Sequence, residues 1–126
     1  MKQQRQFKDN PIQEHEYQNQ LNEELKNGII KETISIQVYN PTFIVPRQDR
    51  RLRKILDCIR INLFTQHVHF KMDGPEQLRQ ILQQSDYATI LDIKDTFHHI
   101  HDQPNLQQFL GFKFKNRSFI YFGLPF

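Results

Sequence analysis

Two carboxylates in the segment Ile90–Ile100 (ILDIKDTFHHI) are the residues of this chain best suited to chemistry. An apolar run carries Asp92 to its end, and Asp95 follows within one helical turn. Many phosphoryl-transfer enzymes place a ligand for magnesium in this way, as an acidic group at the tip of a strand. The pattern indicates Mg2+ as a candidate cofactor. For a single Asp considered alone, an exposed strand end or a cap of the next turn is the better interpretation.

A second candidate is a cluster of basic side chains upstream. Five cations fall within eight residues, opposed by Asp49: Arg47, Arg50, Arg51, Arg53 and Lys54. The net charge of the chain is only +3, so the placement of these cations matters more than their number. Such a cluster can neutralise phosphates. The alternative is a solvated loop between two strands.

Composition limits what the chain can be. Its 126 residues suffice for one small domain, and its hydrophobic share of 37% is low but includes 11 Phe and 4 Tyr. The lone Cys58 excludes an internal disulfide and is expected to be a buried thiol in a reducing compartment. No stretch is apolar enough to cross a bilayer, and the start of the chain lacks a secretory signal. We therefore expect an intracellular protein with no membrane partner.

Local signals predict the first helix. Residues 1–10 are polar and are expected to form a disordered leader, followed by one domain over 11–126. Asn10 is a candidate N-cap, with Pro11 at the first helical position and Gln13 completing a capping box. Apolar residues then recur at every fourth position, and Gly28 is a natural helix stop. The helix is predicted over 11–27, with its apolar stripe formed by Tyr17, Leu21, Leu25 and Ile29.

Strand and turn signals complete an α+β pattern. Weak alternation predicts a strand over 33–37, and a hairpin is predicted with strands 42–45 and 52–57 around a tip at 47–51. In its second strand, Leu52, Lys54 and Leu56 share one face. A further hairpin is expected around Lys115-Asn116, with strands at 108–113 and 117–122.

Between the two hairpins, a second helix and a buried strand are predicted. Asp73 is a candidate cap with Glu76 as its box partner, and the helix is expected to end at 85–86. Tyr87–Ile93 is nearly continuous in apolar residues, as is typical of a central strand buried on both faces. Residues 95–101 are expected to form a short helix or turn. The inner face of the second helix is expected to consist of Leu78, Ile81 and Leu82.

Three of these segments, in this order, resemble reverse transcriptases. The string LDIKDTFHHI resembles the family's first catalytic motif, and residues 40–62 (NPTFIVPRQDRRLRKILDCIRIN) are similar to its fingers hairpin. FGLPF at 122–126 resembles the start of its second palm motif. The resemblance covers residues 24–126 and implies the fingers and first palm segment of a right-hand polymerase. HFKMDG near residue 70, with LDIKDTFHHI and the final LPF, looks most like DIRS-type retrotransposons.

The resemblance also implies roles for individual residues. Asp92 would be the catalytic metal ligand, and Ile93 would lend its backbone carbonyl to the same Mg2+. Phe97 would be the steric gate that rejects a 2′-hydroxyl. Arg53 would clamp the nucleotide, since its planar fork suits phosphate. The implied nucleotide-binding set is Arg47, Arg53, Asp95, Thr96, Phe97 and Phe126.

The sequence also departs from the family pattern. The family's third motif, aromatic-X-Asp-Asp, has no counterpart, since the chain contains no adjacent Asp pair. Arg50 stands where the family usually has Gly in the fingertip turn, and Ile59 stands where it usually has Arg. We therefore expect a fragment of an RNA-directed DNA polymerase that is inactive alone. By resemblance, its partners would be an RNA or DNA template-primer, a deoxynucleoside triphosphate and the remainder of the polymerase.

Other functions are compatible with the same residues. The chain could be a non-catalytic nucleic-acid binder that uses the basic hairpin, or an inert remnant of a decayed element. His98 and His101 share a helical face, but packing is a better interpretation than zinc because no Cys or acidic partner stands at a typical spacing. The Phe-rich tail is read as a hairpin core rather than a base-stacking platform.

Overall fold

Helices and antiparallel strands alternate in the computed structural model, which describes residues 10–94 and 96–125. The fold class is α+β, as predicted. The main elements are α1 (Pro11–Lys26), β1 (Ile30–Glu32), β2 (Thr42–Pro46), β3 (Leu52–Leu56), α2 (Ile59–Asn62), α3 (Pro75–Ile81), α4 (Pro104–Gln107), β4 (Gly111–Phe114) and β5 (Arg117–Tyr121). A 3-10 turn spans Thr96–His99. Within these residues no helix is long and apolar enough to span a bilayer.

Helix α1 has the predicted capping box at its start and the predicted glycine at its end. The Asn10 side chain accepts a hydrogen bond from the Gln13 N–H, and the Gln13 side chain accepts one from the Asn10 N–H in return. Tyr17 and Leu21 of the predicted apolar stripe are fully buried. Gly28 stops the helix with a φ of +69°, a conformation that costs glycine little.

Two separate antiparallel sheets follow. The first has the strand order β1-β5-β4, and the second is the β2-β3 hairpin. The β4–β5 turn is made by Lys115 and Asn116, whose φ angles of 46° and 63° fit a tight turn matched to strand twist. Rings from these strands stack in the core: Phe112 lies 5.4 Å from both Phe119 and Tyr121 between ring centroids. The prediction that the Phe-rich tail is a hairpin core is confirmed.

The β2-β3 hairpin has its tip where it was predicted. Thr42 pairs with Leu56 and Pro46 pairs with Leu52, which leaves 47–51 as the turn. Within the turn Arg50 has a φ of 65°, a left-handed conformation that glycine adopts more easily. Arg50 therefore has a backbone conformation that suits the glycine that the resemblance leads one to expect at this position.

Some predicted element boundaries are wrong. The first strand lies at Ile30–Glu32 rather than at 33–37, because pairing with β5 decides where a weakly patterned segment becomes a strand. Gly74, not Asp73, caps α3; its N–H donates to the side chain of Gln77, so the box is shifted by one residue. Helix α3 ends at Ile81, and its expected inner face is exposed: Leu78 52%, Ile81 72% and Leu82 50%.

The largest correction concerns Tyr87–Ile93. This segment was predicted to be a buried central strand, yet it is irregular, and Tyr87, Ile90 and Leu91 are 102%, 93% and 85% exposed. A strand requires a neighbour for its backbone N–H and C=O groups, and in the described residues no element pairs with this one. The apolar run shows that the segment suits burial, but it does not supply the surface against which it would be buried.

Candidate functional site

The tip of the β2-β3 hairpin is a tight, arginine-rich turn. The Arg47 N–H donates to the Arg51 carbonyl at 2.7 Å, and the Arg50 N–H donates to the Arg47 carbonyl at 3.0 Å. Asp49 accepts from the Arg51 N–H at 3.1 Å and pairs with its guanidinium at 3.4 Å. Asp49 therefore braces the turn. Across the described ranges, no ion pair engages the exposed guanidinium of Arg47, Arg50 or Arg53.

Strand alternation divides the basic cluster between two faces. Arg53 is exposed, whereas Lys54 is 7% exposed and points into the core. Grouping Lys54 with the phosphate-neutralising cations is therefore wrong. The signal was already present in the sequence, since Lys54 shares a face with Leu52 and Leu56.

Lys54 is the buried cation of a polar cluster. Its ammonium forms an ion pair with Glu24 of α1, and it lies 4.6 Å from the Phe112 ring centroid and 5.2 Å from that of Tyr121. Burial lowers the pKa of Lys54, and the nearby Glu24 carboxylate works in the opposite direction. The Tyr121 hydroxyl also donates to Glu24, at 3.2 Å and 3.3 Å from its two oxygens. Burial raises the pKa of Tyr121.

The exposed arginines form one wall of an open cleft of about 850 Å³. Helix α1 forms another wall, and Lys94, Thr96, Phe97 and His98 form a third. Four residues of the predicted nucleotide-binding set line this cleft together: Arg47, Arg53, Thr96 and Phe97. The α1 wall carries Glu16 and Glu23, so an anion would be drawn to the arginine side.

The predicted metal ligands are placed differently. Asp92 is exposed on an irregular segment, and neither it nor Ile93 is found among the described residues that line the cleft. The prediction that Asp92 ends a buried strand is wrong, since that strand does not form. The carbonyl of Ile93 accepts a hydrogen bond from the Thr96 hydroxyl at 2.6 Å. Asp95 and Phe126, the other predicted site residues, lie outside the described residues.

These positions do not fit a magnesium site. Within the described ranges no three His, Cys, Asp or Glu side chains come close enough together to hold a metal ion. A two-metal centre needs at least two carboxylates around ions about 4 Å apart. The His98 ring stacks on the Tyr121 ring, with 6.4 Å between the ring centroids.

Comparison with solved structures identifies the fold. The foamy viral protease-reverse transcriptase in complex with dsDNA superposes with a TM-score of 0.78 over 99% of this chain and 26% of that one, at 19% identity. The same viral protein in complex with an RNA/DNA hybrid gives a TM-score of 0.76 over 97% of this chain and 16% of that one, at 20% identity. At this level of identity the likeness establishes the fold alone: it is that of part of a protease-reverse transcriptase.

Sequence comparison connects the chain to retrotransposons. It is 29% identical over 107 residues to the Transposon Tf2-3 and Tf2-4 polyproteins of Schizosaccharomyces pombe (strain 972 / ATCC 24843). The match covers 85% of this chain and 8% of each relative. No protein-family model matches the sequence. Together the comparisons show similarity to retrotransposon polyproteins and the fold of part of a protease-reverse transcriptase.

Proposed function

We propose that this chain is the fingers and first palm segment of a retrotransposon reverse transcriptase, which binds a template-primer and a deoxynucleoside triphosphate but does not polymerise alone. The observation that carries the proposal is the cleft in which Arg47, Arg53, Thr96 and Phe97 meet. These residues are about 45 positions apart in sequence, and the resemblance assigns both groups to the same nucleotide. The finer DIRS-type assignment is supported by sequence strings alone.

Nucleic acid as a partner is supported by charge and by fold. Arg47, Arg50 and Arg53 are exposed on one hairpin, and exposed guanidinium groups bind phosphate bidentately. The similar foamy viral protein has been solved with dsDNA and with an RNA/DNA hybrid. We therefore expect the chain to bind an RNA/DNA hybrid with an affinity that falls steeply as salt rises.

The test is a binding titration with a fluorescently labelled RNA/DNA hybrid at several salt concentrations. Arg53→Glu should lower the affinity at least tenfold and reduce the salt slope by about one or two phosphate contacts. Arg79→Glu is the matched control, because Arg79 is an exposed arginine of α3 that pairs with Glu76 and does not line the cleft. Equal losses in the two variants would show that only net charge matters and would overturn the proposed site.

A second measurement separates a polymerase cleft from a general nucleic-acid binder. Phe97 is 49% exposed on the cleft wall, where the resemblance makes it the gate against a 2′-hydroxyl. Unlabelled dATP should displace a fluorescently labelled dATP from the chain at lower concentration than ATP does. Phe97→Val should reduce this dATP-to-ATP preference several-fold. Phe64→Val is the control, since Phe64 is 91% exposed outside the cleft. Equal competition by the two nucleotides with the unmodified chain would favour a non-catalytic binder.

The irregular Tyr87–Ile93 segment bears on activity. We infer that it becomes a strand only against a further part of the polymerase, since its apolar side chains are exposed and its backbone has no strand partner among the described residues. Amide hydrogen exchange of the chain alone should show little protection there and strong protection in β5. Strong protection throughout Tyr87–Ile93, or Mg2+-dependent primer extension by the chain alone, would contradict this part of the proposal.

A further inference from the structure

One side chain of α1 makes three hydrogen bonds at the edge of the arginine hairpin. The Gln20 amide oxygen accepts from the Lys54 backbone N–H at 3.0 Å, and its amide nitrogen donates to the Leu52 carbonyl at 2.8 Å. The same nitrogen donates to the Glu16 carboxylate at 2.7 Å, one helical turn away. A carboxylate can only accept, so the Gln20 amide nitrogen must face Glu16. The same orientation turns the amide oxygen toward the Lys54 N–H.

The two backbone bonds enclose Arg53. The Leu52 carbonyl belongs to the peptide before Arg53, and the Lys54 N–H belongs to the peptide after it. Strand β3 pairs with β2 on one edge only, so its outer edge has no strand neighbour in the described part of the chain. Gln20 therefore takes the place of a neighbouring strand on both sides of Arg53, one of the β3 residues that line the cleft.

We propose that Gln20 is a positioning residue that holds the backbone on both sides of Arg53 and so aims its guanidinium at the anionic ligand of the cleft. The identity of the ligand rests on the proposed function, whereas the hydrogen bonds do not. A bidentate guanidinium contact needs both position and direction. A strand edge without these bonds would sample other orientations, and the apparent affinity falls with the fraction of competent conformers.

The experiment replaces Gln20 by methionine, which has a similar length but forms neither backbone bond. Gln18→Met is the matched control, because Gln18 lies on the same helix and its side chain, among the residues that the structure describes, hydrogen-bonds to Asn22 alone. With both variants shown to be folded by circular dichroism, binding of the RNA/DNA hybrid should weaken about tenfold in Gln20→Met relative to Gln18→Met.

A double-variant cycle distinguishes positioning from general stability. In an Arg53→Met background, Gln20→Met should cause no further loss of affinity, because the guanidinium that it positions is gone. If Gln20→Met is poorly folded, Gln20→Leu replaces it, because leucine is uncharged and also forms neither backbone bond. An uncharged replacement adds no new electrostatic interaction with Arg53, so the cycle still measures the positioning effect.

The outcomes separate the two proposals. Binding by the unmodified chain with equal affinity in Gln20→Met, or an equal loss with and without Arg53, would overturn the positioning role and leave the proposed function standing. Failure of the unmodified chain to bind the hybrid would overturn the proposed function and the positioning role together. A loss seen only when Arg53 is present would support both.

Discussion

Replacing Lys54 by methionine tests whether the buried ion pair ties the arginine hairpin to the rest of the fold. The Lys54 side chain is 1% exposed, and that of its partner Glu24 is 16% exposed. Methionine keeps the length and apolar stem of lysine but removes the charge. The Glu24 carboxylate would then retain the Tyr121 hydroxyl as a hydrogen-bond donor but lose its cation.

The expected cost follows from this imbalance. Removing one partner of a buried pair costs roughly 3–5 kcal/mol, because the other charge remains desolvated. Glu24 keeps some contact with water and one hydrogen bond, so we expect the lower end, about 3 kcal/mol. For a small domain with a stability of about 5–15 kcal/mol, that is a large share of the total.

Equilibrium urea unfolding at pH 7 measures the effect. The chain has no Trp and 4 Tyr, so tyrosine fluorescence and far-ultraviolet circular dichroism are suitable probes. The midpoint should fall in Lys54→Met with little change in slope. Adding Glu24→Leu should restore most of the loss, since replacing a whole buried pair by apolar side chains is often neutral or stabilising.

Lys31→Met is the control, because Lys31 is an exposed lysine of β1. Its effect should stay within about 0.5 kcal/mol. A loss below about 1 kcal/mol in Lys54→Met would refute the reasoning. So would a double variant no more stable than Lys54→Met alone, because the stranded carboxylate could not then be the source of the cost.

Two further predictions concern single residues. Burial raises the pKa of Cys58 to about 11 from an ordinary 9.0, so above pH 9 the unfolded thiol loses its proton first and stability falls as pH rises. The free energy of unfolding of the unmodified chain, measured in urea, should therefore fall by about 2 kcal/mol relative to that of Cys58→Ala between pH 8.5 and 10.5. A difference between the two proteins that stays constant with pH would contradict this prediction. Arg50→Gly should increase the free energy of unfolding by about 1 kcal/mol, because the φ of 65° at Arg50 is costly for a residue with a Cβ. The melting temperature should rise accordingly, and a lower melting temperature would argue against strain at Arg50.

Local chemistry in the sequence determined much of the fold. The Asn10–Gln13 capping box, the Gly28 stop and the Lys115-Asn116 turn act over a few residues, so helix α1 could be predicted almost to the residue and the turn of the second hairpin was placed correctly. The first strand of that hairpin begins at Gly111 rather than at 108, because residues 104–107 form helix α4. The β2-β3 hairpin followed from its bounding prolines and β-branched residues. Its alternation also put Arg53 and Lys54 on opposite faces, and the apolar Leu52 and Leu56 beside Lys54 indicate that the Lys54 face is the buried one.

Tertiary structure decided what depends on partners distant in sequence. Glu24 forms an ion pair with Lys54, and Gln20 hydrogen-bonds to the backbone beside Arg53. Phe97 lines the same cleft as Arg53. These residues are too far apart in sequence for helix or strand periodicity to predict their contacts. The apolar run at Tyr87–Ile93 states a preference for burial, but a strand forms only where a second strand accepts its hydrogen bonds. For that reason the sequence determined the chemical character of the Asp92 segment, and the tertiary structure decided its exposure.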